Sequence, residues 1–275
     1  MEIEVLLHSI YDLFIDQMSL EEGFELLLGD LVRYVIAAVG MYFAVRILVN
    51  RGFGHKLIQK MKPKTGQYKR EILASIRTSF IFATIGALTI LGSFYGLQQW
   101  MLPGEAGFVW IICSVPLMLI AHDAYFYWTH RMMHHPKLFN AFHREHHLSI
   151  TPTPFTAYDF SWREAIVEAG FLPLWLIAIP TPIESSVAFL IVMTLRNVWG
   201  HSGISLEPRW MIDHPILGNI TTTVHHDLHH GNSFSHNYGL YFTWWDRWMG
   251  TENPKYREKF LEICDHRQAT KNDSQ

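Results

Sequence analysis

The sequence predicts an all-α fold: a multi-pass bundle of transmembrane helices with a histidine-rich helical cap on the cytoplasmic side. Two observations support this prediction. Apolar residues make up 49% of the 275 residues and charged residues only 17%, below the roughly 25% of an average soluble domain. The apolar residues also gather into long segments with few charges, which alternate with polar segments rich in histidine.

The N-terminal third predicts two helices that span a membrane. Residues 1–30 are acidic and amphipathic and predict one helix or a pair of helices. Residues 31–49 form an apolar segment whose only charges are Arg33 and Arg46, and residues 78–97 form a second apolar segment without charge. Each is long enough to cross most of a bilayer core, which needs about 20 residues.

The stretch between these two segments is strongly basic, with Glu71 as its single acid. Loops rich in Lys and Arg stay on the cytoplasmic side of a membrane, so this loop predicts the orientation of the bundle. The second span then leads outward to a turn at 98–107, and a third apolar segment, 108–128, returns to the cytoplasmic face. The basic side chains are Arg51, Lys56, Lys60, Lys62, Lys64, Lys69, Arg70 and Arg77.

Two shorter apolar segments, 165–180 and 185–199, flank a turn with the sequence TPIE. Both are short for full spans, so a re-entrant hairpin and a tilted pair of spans both remain open. In either case, the chain before the hairpin and the chain after it lie on one side of the membrane. The predicted organisation is therefore an N-terminal segment (1–30), membrane helices with the basic loop (31–107), a catalytic region (108–252) and a C-terminal tail (253–275).

Composition also excludes several classes of protein. A net charge of −3 gives no electrostatic support for binding nucleic acid. Two cysteines, Cys113 and Cys264, are too few for a disulfide framework or a thiolate metal site. The acidic N-terminus lacks the basic region and the cleavage site of a signal peptide, so we expect none.

Histidines are the most informative residues, and most of the 17 lie between His122 and His236. Their spacing is typical of metal ligands on helices, because residues three and four apart share one helix face. His130 and His134 are four apart, and the pattern His-x-x-His-His occurs twice. We expect each triplet to direct three imidazoles to one side, all on the cytoplasmic face. The two triplets are His143, His146 and His147, and then His226, His229 and His230.

With His201 and the adjacent His225, ten histidines are candidate metal ligands. One tetrahedral zinc would use three or four, so ten imidazoles favour two metals with about five ligands each. Imidazole binds Fe, Cu, Ni and Zn, and ligand type alone does not select the metal. His122 is expected to be buried and hydrogen-bonded, and the roles of His135 and His236 stay open.

Acidic residues beside these histidines are candidates for orienting the rings by hydrogen bonding. Glu145 and Asp227 are sequence neighbours of the two triplets, and Asp123 lies seven residues before His130, on the same helix face. For Asp123, a hydrogen bond between helices is an equally good expectation.

The segments DAYFYWTHRMMHHPKLFNAFHREHH, HSG and HHDLHHGNSFSHNYGLYFTWWDRWMGT resemble the fatty acid hydroxylase/sterol desaturase superfamily of integral-membrane, non-haem di-iron enzymes. The resemblance covers about residues 108–252. It implies that His130 and His134 form the first histidine box, that each triplet forms one of the other two, and that His201 is the histidine between them. His225 also falls within the matching segment.

The resemblance implies two irons per chain and an oxidoreductase that uses O2 to hydroxylate a C–H bond of a sterol-like or fatty-acyl lipid. It also implies an external electron donor, either a cytochrome b5-like protein, a ferredoxin or a reductase, because no nucleotide-binding glycine motif is present. The expected location is the plasma or inner membrane of a bacterium, or the endoplasmic reticulum of a eukaryote. A desaturase with the same ligands is the nearest alternative; a metal transporter and a lipid-binding protein with structural zinc are alternatives from other classes.

Overall fold

The computed structural model describes residues 20–232 and 234–272, and it confirms the all-α fold. Ten α-helices, five short 3₁₀ helices and one two-residue strand pair make up the described chain. The α-helices are α1 Leu20–Asn50, α2 Gln67–Phe94, α3 Phe108–Met133, α4 Pro136–Phe142, α5 Trp162–Ala169, α6 Phe171–Ala178, α7 Ile183–Gly200, α8 Thr223–Asn232, α9 Trp244–Trp248 and α10 Tyr256–Asn272. The 3₁₀ helices are Phe53–Lys56, His146–Leu148, Pro154–Tyr158, Arg209–Asp213 and Leu217–Asn219.

Three of the described helices are long and apolar enough to cross a membrane: Phe24–Asn50 within α1, α2, and α3. Large apolar side chains on their outer faces are exposed, among them Ile36 and Phe108. A soluble protein rarely exposes so continuous an apolar surface, and a lipid bilayer would cover it. These three helices confirm that the chain is a membrane protein.

The first two of these helices begin earlier than the sequence predicts. Helix α1 runs without interruption from Leu20, so the later part of the predicted N-terminal segment belongs to it, and residues 1–19 lie outside the described residues. Helix α2 begins at Gln67, inside the predicted basic loop. Polar residues extend it because they are buried against the chain that follows the second histidine box: Gln67 donates to Glu71, and Thr153 donates to the same carboxylate.

Residues 162–200 form the predicted helical hairpin, broken between α5 and α6. Strand β2 (Thr181–Pro182), in its turn, pairs in parallel with β1 (Trp100–Met101), in the turn between α2 and α3. The hairpin therefore reaches the same end of the bundle as that turn. Its two ends lie together at the opposite end, where the histidines are.

The C-terminal segment is a packed helix instead of a loose tail. Tyr256, Phe260 and Ile263 on α10 are buried in a cluster with Val224 of α8 and Ile58 of the basic loop. This packing explains the difference from the predicted tail, because the helix α8 that carries the third histidine box needs apolar cover on its outer side. Helix α10 is therefore part of the cap.

Candidate metal centre

Nine of the ten candidate histidines converge in two adjacent groups, in each of which the ligand atoms lie within 4.8 Å of one another. Eight of the nine histidines are buried, and His134 is partly buried. The first group has five members, His130, His134, His143, His147 and His229. The second group has four, His146, His201, His226 and His230.

Both His-x-x-His-His triplets divide between the two groups, which differs from the prediction that each directs three rings to one side. In each triplet the first and last histidines, four residues apart, belong to one group, and the middle histidine belongs to the other. His143 and His147 are in the first group and His146 is in the second. His226 and His230 are in the second group and His229 is in the first. His226, His229 and His230 lie on α8, where residues i and i+4 are about 40° apart around the axis and i+3 is about 100° from i+4. The other triplet is not on one α-helix, because α4 ends at Phe142 and His146 and His147 lie in a 3₁₀ helix. Each triplet therefore connects both groups.

The spacing of the ring nitrogens fits metal ligation. Neighbouring Nε2 atoms lie 2.9 Å apart between His130 and His143, and 3.3 Å apart between His146 and His201. With metal–nitrogen bonds of about 2.0–2.1 Å, ligand nitrogens are separated by roughly 2.9 Å in cis-octahedral geometry and roughly 3.3 Å in tetrahedral geometry.

Hydrogen bonds at the opposite ring atoms determine which ring nitrogen presents a lone pair. The Nδ1 atoms of His201 and His230 lie 2.8 and 3.1 Å from the backbone carbonyls of Asn197 and Ser149. A carbonyl oxygen only accepts, so each Nδ1 carries the proton and each Nε2 presents a lone pair. These two lone pairs face each other at 3.2 Å, a repulsive contact that a metal ion between them would turn into coordination.

Similar outer contacts orient rings of the first group. The Nδ1 of His130 donates to the carbonyl of Tyr238 at 2.9 Å, and that of His229 donates to the carbonyl of His236 at 2.7 Å. His143 contacts a carboxylate: its Nδ1 lies 2.5 Å from Oε1 of Glu164, and both side chains are at most 3% exposed. Such outer partners fix the tautomer and raise the basicity of the ligand nitrogen.

The three acids that we expected to orient the rings do not contact the nine histidines. Asp123 accepts from the backbone of Tyr241 and Phe242 and from the indole of Trp244, so it joins α3 to the chain after α8. Glu145 pairs with Arg77 on α2, and Asp227 accepts from Gln59 of the basic loop. Residues i±1 on a helix do not share a face, so a sequence neighbour of a ligand usually points elsewhere.

His225 does not join the other nine histidines. It is fully buried, and its Nε2 lies 3.4 Å from Oδ2 of Asp246. His122 is buried and hydrogen-bonded as expected, with Nδ1 2.8 Å from the hydroxyl of Tyr241. The ring of His135 accepts from the backbone of Lys137 at the start of α4, and His236 contributes its backbone carbonyl to His229.

Sequence reasoning missed Glu164 and Asp246. Glu164 lies in the first turn of α5, where the side chain of Ser161 caps the helix by accepting from the backbone N–H of Glu164. The Ser-x-x-Glu spacing is the sequence signal that could have identified Glu164. It is typical of a helix start, and it places this acid in the first turn of the helix that follows the second box. Asp246 accepts from the backbone of Tyr238 and Gly239 and from the Thr251 hydroxyl, and so it joins the NYG, WDR and GT segments.

The electrostatic setting keeps the rings neutral and therefore able to bind a metal. Burial, reinforced by the neighbouring imidazoles, lowers the pKa of His226, His229 and His230 well below its usual range. His134, His143 and His201 directly follow the last residues of α3, α4 and α7. The C-terminal end of a helix carries partial negative charge, which favours a cation there.

A cavity of about 520 Å³ lies between α1, α2, α3 and the hairpin. Its lining is mainly apolar. Phe126 and Phe160 line it next to the metal centre, with rings 5.0 Å from His130 and 5.4 Å from His146. Phe94 and Val187 line it at the outer surface of the bundle, where both are exposed. The cavity therefore opens at the apolar outer surface and reaches inward to the two phenylalanines that contact the histidine groups.

The fold and the site define a class: a membrane protein with two histidine groups that could each hold a metal ion and an apolar cavity beside them. The family model described as fatty acid hydroxylase matches residues 115–251, which include all nine converging histidines. The chain belongs to the fatty acid hydroxylase/sterol desaturase superfamily and is an oxidoreductase that acts on lipids.

Three proteins to which the chain is similar carry the names of sterol enzymes. The Delta(7)-sterol 5(6)-desaturase ERG3B of Gibberella zeae is 27% identical over 251 residues, covering 86% of this chain and 75% of that protein. The lathosterol oxidase of Rattus norvegicus is 29% identical over 231 residues, covering 82% and 72%. The human lathosterol oxidase is 28% identical over 234 residues, covering 82% and 73%. No solved structure matches the chain.

Proposed function

We propose that the protein binds two irons, one in each histidine group, and uses O2 and external electrons to oxidise an unactivated C–H bond of a sterol-like lipid. The observation that carries this proposal is that the two histidine groups lie directly behind Phe126 and Phe160, which line one apolar cavity and contact one histidine of each group. The rat and human relatives are called lathosterol oxidases, which supports a sterol-like substrate.

Iron fits the donor set, because imidazole is one of its usual protein ligands. When bound, the irons would supply the redox chemistry with O2 that side chains lack. Two six-coordinate ions have about twelve coordination positions in total, so nine imidazole nitrogens would leave some of these positions open. The residues of the chain then have separate roles: the nine imidazoles bind, Glu164 orients His143, and Phe126 and Phe160 present the lipid to the centre and exclude water.

Desaturation is the outcome that the relatives favour, since the fungal relative is called a sterol desaturase. Hydroxylation is the second candidate, favoured by the description of the family model. Both begin by removing hydrogen from carbon, and the same ligand set serves both. The products differ in mass, since desaturation removes two hydrogens and hydroxylation adds one oxygen.

The metal centre is proposed to face the cytoplasm, where a cytochrome b5-like protein, a ferredoxin or a reductase would deliver electrons. Two contacts support this orientation. Gln59 of the basic loop donates to Asp227 beside the third box, and Arg70 pairs with Asp159 just after the second box. The basic loop and the metal centre are therefore at the same end of the bundle, and basic loops remain cytoplasmic.

The test combines metal analysis with product analysis on the purified protein. We expect two irons per chain and an O2-dependent product from lathosterol when a reductant and an electron carrier are supplied. His134→Ala and His226→Ala, one from each group, should each lower the iron content towards one and abolish turnover, whereas His135→Ala should change neither. Less than one iron per chain, together with no O2-dependent product from any lipid tried, would overturn the proposal.

A further inference from the structure

The five-histidine group lies close to the surface of the cap on one side. His134 is the one partly exposed member of the nine converging histidines, and the ring of Phe139 lies 5.4 Å from its ring. Phe234 packs 5.5 Å from Phe139 and 4.8 Å from His147, and it is 48% exposed. A single layer of aromatic side chains therefore separates two of the ligand rings from the outside.

The exposed ring of Phe234 is held in place from below. The hydroxyl of Tyr238 donates to the backbone carbonyl of Phe234 at 3.2 Å, and the Tyr238 ring itself lies 5.2 Å from that of His134. Leu148, directly after His147, is also exposed. Apolar side chains that remain exposed and ordered next to a functional site often mark a contact with another molecule.

Exposed basic residues border the two phenylalanines. Lys137 lies two residues before Phe139 on α4, and the backbone N–H of Arg144 donates to the carbonyl of Phe139 at 2.9 Å. Both basic residues are exposed, and the neighbouring acid Glu145 already pairs with Arg77. This part of the cap therefore combines an apolar centre with a positive border. We call it the basic aromatic surface; its residues are Lys137, Phe139, Arg144 and Phe234.

The opposite side of the histidine groups faces the apolar cavity, where Phe126 and Phe160 contact His130 and His146. A cavity of about 520 Å³ admits a lipid but not a protein that carries electrons. Because the rate of electron transfer falls steeply with distance, such a protein has to approach where the wall over the ligands is thinnest. Among the described residues, the partly exposed ring of His134 marks that place.

The charge of the basic aromatic surface selects the kind of partner. Short-lived electron-transfer complexes bury small interfaces, below about 1,200 Å², and charges at the border of an interface mainly steer the encounter. An apolar centre with aromatic side chains and a charged border is the usual anatomy of such a contact. The positive border attracts an acidic protein and repels a basic one.

We propose that an acidic one-electron carrier protein docks on the basic aromatic surface and that its electrons enter the five-histidine group there. In each encounter the carrier is oxidised by one electron, and one ferric ion of the centre is reduced to ferrous. The inference rests on the proposed function for one point, that the histidine groups hold iron. The docking itself depends only on the surface.

Equilibrium binding of two acidic carriers tests this surface on the iron-loaded protein in nanodiscs of neutral phosphatidylcholine. The carriers are the soluble haem domain of a cytochrome b5 and a [2Fe–2S] ferredoxin. At least one should bind, and its affinity should fall about tenfold or more between about 0.05 and about 0.5 M salt, because salt screens exposed charges. Rapid mixing of the reduced carrier with the ferric protein gives the rate of carrier oxidation from its absorbance.

Two double variants with the same change in net charge separate this surface from a general charge effect. Lys137→Glu with Arg144→Glu should weaken binding at low salt at least about tenfold and slow carrier oxidation by a similar factor. Iron content and thermal unfolding should stay as in the wild type, because both residues are exposed. Lys62→Glu with Lys64→Glu, in the exposed basic loop, is the matched control and should bind within about threefold of the wild type. Phe234→Ala, which removes the apolar centre, should weaken binding at least about fivefold.

Binding of neither carrier by the wild-type protein would overturn the docking surface. Equal losses in the two double variants, or wild-type affinity in the Lys137 and Arg144 variant, would overturn it as well. Binding in detergent that disappears in nanodiscs would mean that the bilayer covers the surface, which also contradicts the proposal. Oxidation of lathosterol supported by a carrier whose affinity no variant changes would remove the surface and leave the proposed function in place. Carrier binding that depends on the surface, found without any O2-dependent product, would support the surface and remove the proposed function.

Discussion

Glu164 and Glu145 form a matched pair for testing how the metal centre is supported. Both are glutamates near the second histidine box, but only Glu164 contacts a ligand. Its Oε1 lies 2.5 Å from Nδ1 of His143, with side chains 1% and 3% exposed. Glu145 pairs with Arg77 at 2.8 Å, with side chains 31% and 40% exposed. The buried His143–Glu164 hydrogen bond and the partly exposed Arg77–Glu145 ion pair should therefore have very different energies.

Glu164→Gln keeps the size of the side chain and its ability to accept a hydrogen bond, but removes the charge. A buried hydrogen bond to a charged group contributes about 1.5–3 kcal/mol, roughly a 10- to 150-fold change in an equilibrium constant. Outer partners of metal ligands typically change metal affinity or activity by about 10- to 100-fold. We expect the affinity of the five-histidine group for iron to fall within this range.

The assay is iron per chain after dialysis against graded concentrations of a chelator, with thermal unfolding measured on the same samples. Glu145→Gln removes only a partly exposed pair, worth about 0–1 kcal/mol, and should retain iron like the wild type. Wild-type retention in the Glu164 variant, or equal losses in both variants, would refute the assigned roles.

Three further substitutions probe other parts of the site. Asp246→Asn should speed iron loss about tenfold, because Asp246 holds the backbone at Tyr238, whose carbonyl orients His130; wild-type chelator kinetics would contradict this. His225→Gln should keep both irons, measured by metal analysis, because His225 contacts Asp246 instead of the centre and glutamine can still donate to that carboxylate; loss of an iron would make it a ligand. Gly86→Leu should lower lathosterol binding at least about tenfold and leave the iron content unchanged. Gly86 lines the cavity and a Cβ there meets no atom within 4 Å, so the leucine side chain would fit and would occupy space in the cavity. Unchanged binding would place the lipid elsewhere.

The ligand histidines could be predicted from the sequence because their spacing is a local property. The backbone geometry of one or two turns decides which side chains share a face, and neighbouring residues reveal that geometry. His130 with His134, and His226 with His230, follow this rule. His201 depended on the family resemblance, because a single histidine has no local pattern.

The outer partners could not be predicted because they are set by tertiary contacts. Glu164 lies 21 residues after His143, and Ser149 lies 81 residues before His230. The expectation for Glu145 and Asp227 relied on proximity in sequence, which places a side chain on a different helix face from the ligand beside it. The division of each triplet between two groups likewise required the positions of all the contributing helices.

The composition of the centre raises a charge problem that the fold resolves. Nine neutral imidazoles would not compensate the two divalent ions that we propose, so the surrounding structure would have to supply negative potential. Glu164 is the one carboxylate in direct contact with a ligand among the described residues, and the remaining outer acceptors are backbone carbonyls. The C-terminal ends of α3, α4 and α7 add partial negative charge at His134, His143 and His201. Since a helix end holds its charge at a fixed position, the potential at the metals depends on how these helices are packed. Substitutions that shift α7 should therefore weaken metal binding in the cap without touching a ligand.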